Sequence, residues 1–284
     1  MGRLGRGQAR GQLIVAGGTH VSGEAGEVIL GRLVALAGGA KARIAVIAFA
    51  EPEPEHLAQE YVEAFIRLGA AHVDLTRVRT RADACDGAAA VMVEQCTGAF
   101  FVGDDQMRIA TVLGGSLVDS LLHARVERRE LVLAGAGAGA AMMAGTTITA
   151  GGEAGMPTSG VRTGAGMEFL SGVVIDPQFA ARGRLDRLLS AIALYPHELG
   201  LGIDQDTAIV VDDGHFEVIG SRSVTVVDAG RATMIRTPTQ GEGPIALAGV
   251  QTHVLPAGYA FELTSRRPIF AEAPADMQDW GMAG

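Results

Sequence analysis

The chain is expected to fold as an α/β protein: a doubly wound, mostly parallel sheet with helices on both faces, followed by a C-terminal β-meander. Three features of the sequence predict it. Up to residue 133, short apolar runs alternate with stretches of helical spacing. Several of those runs end in glycine-rich or acidic loops, as strands do at the carboxyl edge of a parallel sheet, where ligands bind. From residue 199 onward the helical spacing gives way to successive short β runs.

The elements follow in order. Residues 12–16 form an apolar strand ending in Gly17-Gly18-Thr19-His20. Residues 24–37 carry Val28, Leu30, Leu33, Val34 and Leu36 at helical spacing and are closed by Gly38-Gly39. Residues 43–49 make a second buried strand, 55–68 an amphipathic helix stopped by Gly69, 71–75 a third strand and 82–96 a third helix. A strand over 99–102 runs into the loop Gly103-Asp104-Asp105-Gln106, which opens a further helix, and 117–129 is helical. The apolar run 131–133 then meets a turn in which glycine alternates with alanine, Gly135-Ala136-Gly137-Ala138-Gly139, with a helix of small apolar residues beginning at 140–144. The stretch 146–172, rich in Gly, Thr, Ala and Ser, reads as a long loop near this turn. A strand over 172–175 ends at Asp176-Pro177-Gln178-Phe179 and leads into a helix over 182–194. Strands over 199–203, 208–211, 215–219, 224–228 and 250–255 extend the same sheet system. With no linker and no repeat, one domain spans 1–284. Residues 1–10 form a flexible start, and 268–284 an extended surface tail holding Trp280.

Composition narrows the function. The net charge of −9 argues against general nucleic-acid binding or binding to an anionic membrane. No apolar run reaches the ~18 residues that a membrane span needs, and the run 13–16 is too short for a secretion signal. Cys85 and Cys96, in one expected helix, are expected reduced, which points to the cytoplasm. The histidines His20, His56, His72, His123, His197, His215 and His253 show no metal-ligand spacing, so no metal or other cofactor is expected. His20 alone lies in a carboxyl-end loop.

Strand, sharp glycine turn and helix are the setting of a nucleophile elbow, Gly-x-Ser-x-Gly. Here the tip is Gly137, which has no side chain. A dinucleotide fingerprint is the weaker reading, because the turn is not in the first βαβ unit and no acidic residue closes a strand ~20 residues later. In Arg182-Gly-Arg184-Leu-Asp-Arg187, Arg184 and Arg187 share a helix face. They form either a solvated basic face or a site for a carboxylate that guanidinium forks can grip. Gly202-Ile203-Asp204-Gln205-Asp206-Thr207-Ala208 is either a polar turn or part of the same site.

Taken together, these loops resemble cyanophycinase, a serine peptidase family that shares its fold with aspartyl dipeptidase and is related to class I glutamine-amidotransferase domains. The family's loops read Gly-Gly-Asp-Gln, Gly-Thr-Ser-Ala-Gly-Ala, Asp-Gln-His-Phe with three spaced arginines, and Gly-Ile-Asp-Glu-Asp-Thr-Ala. This chain has all four in order, as Gly103–Gln106, Gly135–Ala140, Asp176–Phe179 with Arg182, Arg184 and Arg187, and Gly202–Ala208. The resemblance covers residues 10–265. It implies the family's reaction, hydrolysis of cyanophycin to β-Asp-Arg dipeptides, typically by a homodimer. It implies substrate contacts at Asp105, Gln106, Asp176, Arg182, Arg184 and Arg187, and oxyanion-type backbone groups at Gly103 and Ala138.

The triad positions implied by the resemblance depart from the family. Gly137 stands for the serine, Gln178 for the histidine and Gln205 for the glutamate. Glycine cannot attack, and a glutamine amide is neither a usable base nor a charged orienter. Asp104 also replaces a glycine, where an inward carboxylate would repel a developing oxyanion. Recognition residues kept and chemistry lost suggest a catalytically silent subunit or binding protein, pairing with itself or with an active cyanophycinase-like chain. Two other readings remain. One is an enzyme with a relocated nucleophile among Thr146, Thr147, Ser159 and Ser171, with His20 as base. The other is an assembly protein whose old pocket is filled by Gln178 and Asp104.

Overall fold

A computed structural model describes residues 11–49, 54–151, 161–237 and 245–269. The chain runs β1 (Leu13–Gly18), α1 (Glu24–Leu36), β2 (Arg43–Ala48), α2 (Pro54–Arg67), β3 (His72–Arg77), α3 (Arg81–Ala84), α4 (Gly87–Gln95), β4 (Gly98–Val102), α5 (Gln106–Leu113), α6 (Leu117–Glu127), β5 (Val132–Ala136) and α7 (Ala138–Ala141). It continues with β6 (Ala144–Ala150), β7 (Arg162–Ala165), β8 (Leu170–Pro177), α8 (Leu185–Leu194), β9 (Leu199–Ile203), β10 (Thr207–Asp212), β11 (His215–Gly220) and β12 (Ser223–Asp228). The last strands are β13 (Met234–Arg236), β14 (Ala246–Ala248), β15 (Gln251–Pro256), β16 (Ala260–Glu262) and β17 (Arg267–Ile269).

The α/β architecture expected from the sequence is present. The first sheet has the order β17-β16-β11-β10-β1-β5-β4-β2-β3. Its five strands from β1 to β3 are parallel, and the other four add antiparallel. The second sheet has the order β15-β12-β9-β8-β6-β7, with β6, β8 and β9 parallel at its centre. Alternation along each strand sorts the core. In β1, Leu13 and Val15 join the central cluster with Ile47, Phe101, Ile175 and Leu201, which fills the space between the sheets and under α3 to α6. Ile14 and Ala16 face the opposite way, toward Ile29, Leu33 and Phe65 of α1 and α2. On the second sheet's outer face, Val174 packs with Leu188 and Ile192 of α8.

Several expectations need correction. The C-terminal strands do not extend a single sheet. β9 and β12 lie in the second sheet while β10 and β11 lie in the first, so the chain switches sheets at 204–206 and again at 221–222. β9 and β10 are buried along almost their whole length and need cover on both faces, which a second layer supplies. The helix expected over 82–96 is two helices. Thr80 and Asp83 form a capping box for α3, and the Asp86 carboxylate accepts from the Ala88 N–H to start α4. The expected loop over 146–172 contains β6, β7 and the start of β8. Its run Thr146-Thr147-Ile148-Thr149 is β-branched throughout and forms a strand. The helix after the glycine turn is α7, which stops at Ala141. Pro268 is in β17 and pairs with Phe261, so it is not in an extended tail. Residues 1–10, Ser159 and Trp280 lie outside the described residues. Among the described residues no single helix is long and apolar enough to cross a membrane.

Candidate functional site

The glycine turn has the backbone of an elbow. Gly137 sits at φ 57° and ψ −119°, a conformation that side chains disfavour. Two of its glycines are required by close approach. A Cβ on Gly135 would lie 2.4 Å from the Gly139 carbonyl oxygen, and one on Gly139 would lie 2.4 Å from the Phe101 carbonyl oxygen. At Gly137 the situation is reversed, because a Cβ there would meet nothing within 4 Å. The tip is open, and only the side chain is missing.

Three loops are hung in register on the end of β1. The Gly137 N–H donates to the Ala16 carbonyl (3.1 Å) and the Gln178 N–H to the Gly17 carbonyl (3.0 Å). The Asp206 N–H donates to the Gly18 carbonyl (2.8 Å), and the neighbouring Gln205 amide lies against Gly18. Gly17 and Gly18 are needed for this. A Cβ on Gly17 would fall 2.2 Å from the Ile203 carbonyl oxygen, and one on Gly18 would fall 2.2 Å from Gln205 Oε1. Gly137, Gln178 and Gln205 therefore converge around one strand end. Gln178 takes the left-handed conformation, φ 53°.

A cavity of about 310 Å³ opens beside the elbow. Of the residues singled out in the sequence, it is lined by Gly103, Asp104, Gln106, Gly137, Ala138, Gln178, Arg182, Arg184 and Arg187. Ala141, Ile148, Ile175 and Pro177 complete it as an apolar floor. Pro177 belongs to the Asp176–Phe179 loop already singled out in the sequence, whereas Ala141, Ile148 and Ile175 read as ordinary helix or strand residues. Gln106 is fixed by a 2.5 Å bond from Nε2 to the Ile148 carbonyl.

Three of the singled-out residues are placed elsewhere. Asp176 is fully buried beneath the cavity. Its carboxylate accepts from Arg184 Nη1 (3.1 Å) and from Arg187 Nε (3.0 Å) and Nη2 (2.6 Å). Burial pushes its proton affinity up, against the pull of Arg187 and Arg184, and burial likewise lowers that of Arg184. Arg184 Nη1 also donates to the Pro177 carbonyl (2.5 Å). Asp176 thus reaches a ligand only through the arginines that it holds. Asp105 caps α5, accepting from the N–H groups of Met107 and Arg108. Gln205 is outside the cavity wall, against Gly18.

The alternative nucleophiles do not line the cavity either. Thr146 Oγ1 donates to Glu198 Oε1 (3.0 Å), a carboxyl whose proton affinity burial raises, but both residues lie away from the elbow. Thr147 Oγ1 is buried without a hydrogen-bond partner among the described residues, and Ser171 is half-buried. His20 binds Asp206 through its backbone N–H (2.7 Å) and Nδ1 (2.6 Å) and is largely exposed. Among the described residues no group of three His, Cys, Asp or Glu is placed to hold a metal ion. A larger cavity of about 960 Å³, lined in part by His197, Asp228, His253 and Arg266, contains none of the singled-out loop residues.

Comparison with known proteins supplies the relationship. The family model for peptidase family S51 matches residues 13–219. A cyanophycinase from Trichormus variabilis is 35% identical over 244 residues, covering 85% of this chain and 82% of its own. One from Geminocystis herdmanii is 34% identical over 264 residues, covering 92% of this chain and 96% of its own. Among solved structures, a peptidase from an acI-B1 actinobacterium superposes with a TM-score of 0.62 at 19% identity, covering 87% of this chain and 98% of that one, a likeness of fold.

Proposed function

The chain belongs to peptidase family S51, the cyanophycinase-like serine peptidases, and from that premise we propose that it is a catalytically silent member, a non-catalytic subunit or binding partner in cyanophycin degradation. The observation that carries this reading is the bare tip of the elbow. Gly137 keeps the strained backbone of a nucleophile position and has room for a side chain, yet has none. Gln178 and Gln205 flank the same strand end and offer neither a base nor its orienter. Losing a whole triad leaves only what binding and backbone donors can supply.

The cavity remains, and three arginines face it. On this reading the chain binds β-Asp-Arg or a stretch of cyanophycin, as a homodimer or beside an active cyanophycinase-like chain. The proposed compartment is the cytoplasm, a location that two unpaired cysteines, Cys85 and Cys96, support. A relocated nucleophile has less support, because Thr146, Thr147, Ser171 and His20 all lie off the cavity wall.

The test is digestion of purified cyanophycin with chromatographic detection of released dipeptide. The protein alone is expected to release none. Mixed with an active cyanophycinase-like chain of the same host, it is expected to co-purify or to change that chain's rate. Dipeptide release by the protein alone, at a rate typical of the cyanophycinases it resembles, would overturn the proposal.

A further inference from the structure

The charges around the cavity are divided. Asp104 lines one part of it, exposed, and among the described residues it has no ion pair or hydrogen bond. A carboxylate there repels negative charge and attracts positive charge. Arg182 also lines the cavity, exposed and without an ion pair among the described residues. Beside it stand Arg184 and Arg187, two guanidiniums sharing one buried carboxylate, Asp176, so that one positive charge of the pair is uncompensated. Among the described residues the rest of the wall is neutral: the amides of Gln106 and Gln178 and the apolar side chains of Ala141, Ile148, Ile175 and Pro177.

Resting on the reading of a silent binding site, we propose that Asp104 makes its part of the cavity wall a cation-binding half-site, within the same cavity as an anion-binding half-site at Arg182, Arg184 and Arg187. The ligand class is then a zwitterion held uncleaved, with a guanidinium or ammonium for Asp104 and a carboxylate for the arginines. A guanidinium fits best, because it meets a carboxylate through two parallel N–H···O bonds. A divalent metal ion is disfavoured, since among the described residues Asp104 is the one carboxylate on the wall and the other charged groups there are cations. The volume of about 310 Å³ is near the bottom of the ~300–1,000 Å³ range of small-molecule pockets. That suits one dipeptide unit rather than a longer run of polymer.

The experiment is calorimetric titration of the full chain with β-Asp-Arg and with β-Asp-citrulline, which keeps the shape and removes the guanidinium charge. The wild type is expected to favour β-Asp-Arg by about 10–100-fold, the range of a charge-assisted pair. Asp104→Asn and Asp104→Gly are each expected to abolish that ratio. Arg182→Gln is expected to weaken both ligands by a similar factor and leave the ratio standing. An unchanged ratio in both Asp104 variants overturns the inference while leaving the silent binding protein intact. Failure of the wild type to bind either ligand overturns the inference together with the ligand-binding reading. Cleavage of cyanophycin by the protein, measured separately, overturns the silent reading and with it the claim that the ligand is held uncleaved.

Discussion

The glycines of the elbow differ in what they do, and substituting them one at a time separates the roles. Gly137→Ala places a methyl group where nothing lies within 4 Å, so its only cost is conformational. Holding a non-glycine residue near φ 57° and ψ −119° costs on the order of 1–3 kcal/mol. The lost glycine freedom of the unfolded chain returns ~0.4–1 kcal/mol, leaving a net loss of about 1–2 kcal/mol. Gly135→Ala meets a different obstacle. Its Cβ would sit 2.4 Å from the Gly139 carbonyl oxygen and 2.6 Å from the Gly139 carbonyl carbon, both backbone atoms that cannot rotate aside. Separating them must displace α7 from β5, which reaches or exceeds the top of the ~1–3 kcal/mol range for overpacking. Urea unfolding followed by circular dichroism reads both variants on one scale. Gly135→Ala should shift the midpoint further, by at least roughly 1 kcal/mol more at constant m. If Gly137→Ala proves as costly as Gly135→Ala, the tip is not open, and a serine could not simply be returned to it.

Other outcomes follow from the same geometry. Asp176→Ala leaves two guanidiniums without their buried carboxylate and should cost about 3–5 kcal/mol in urea unfolding. Asp176→Leu combined with Arg184→Met and Arg187→Met should restore most of that stability while removing affinity for β-Asp-Arg, and a triple variant no more stable than Asp176→Ala would contradict the clamp. Burial holds the Cys96 thiol up at about 11, whereas Cys85 is exposed. A thiol reagent at mildly alkaline pH should therefore modify Cys85 alone in the native protein and both cysteines in denaturant, as read by mass spectrometry. Glu198 is buried with Oε2 unpartnered, and its proton affinity is raised. The folded state thus keeps that proton to higher pH than the unfolded state does. The resulting contribution to stability is complete below the ordinary carboxylate range and is lost as pH rises through the raised value. Glu198→Gln should flatten this fall in urea midpoints measured across that range, and parallel profiles would refute it. Finally, Gly137→Ser alone should remain inactive toward cyanophycin. Gly137→Ser with Gln178→His and Gln205→Glu should release measurable dipeptide if the three positions still face one another.

Much of the molecule was legible in the sequence where local chemistry decides structure. The apolar run of β1 and its glycine end, the helix 24–37 and the glycine spacing of the elbow all survive in the fold. The cavity was legible through its loops, since Gly103, Gln106, Gln178 and the three arginines line it together. What escaped depends on partners far away in the chain. The spacing of Arg184 and Arg187 put them on one face but did not show that buried Asp176 joins them from below. Asp105 resembled a binding residue, yet it precedes a helix and caps it, a role its position also advertised. The sheet switches at 204–206 and 221–222 leave no mark in hydrophobic pattern, because either sheet satisfies the same buried strand.

The register of three loops on Ala16, Gly17 and Gly18 has a consequence for how such a protein changes over time. Positions are set by peptide groups of β1, with Gly17 and Gly18 leaving room for the loops, and not by the side chains at the loop tips. Reactive groups can therefore be withdrawn or reinstated like tools from a rack, each by a local substitution, with the rack itself unmoved. On the reading of a silent member, such a lineage passes from cutting a polymer to holding it through changes at the loop tips alone.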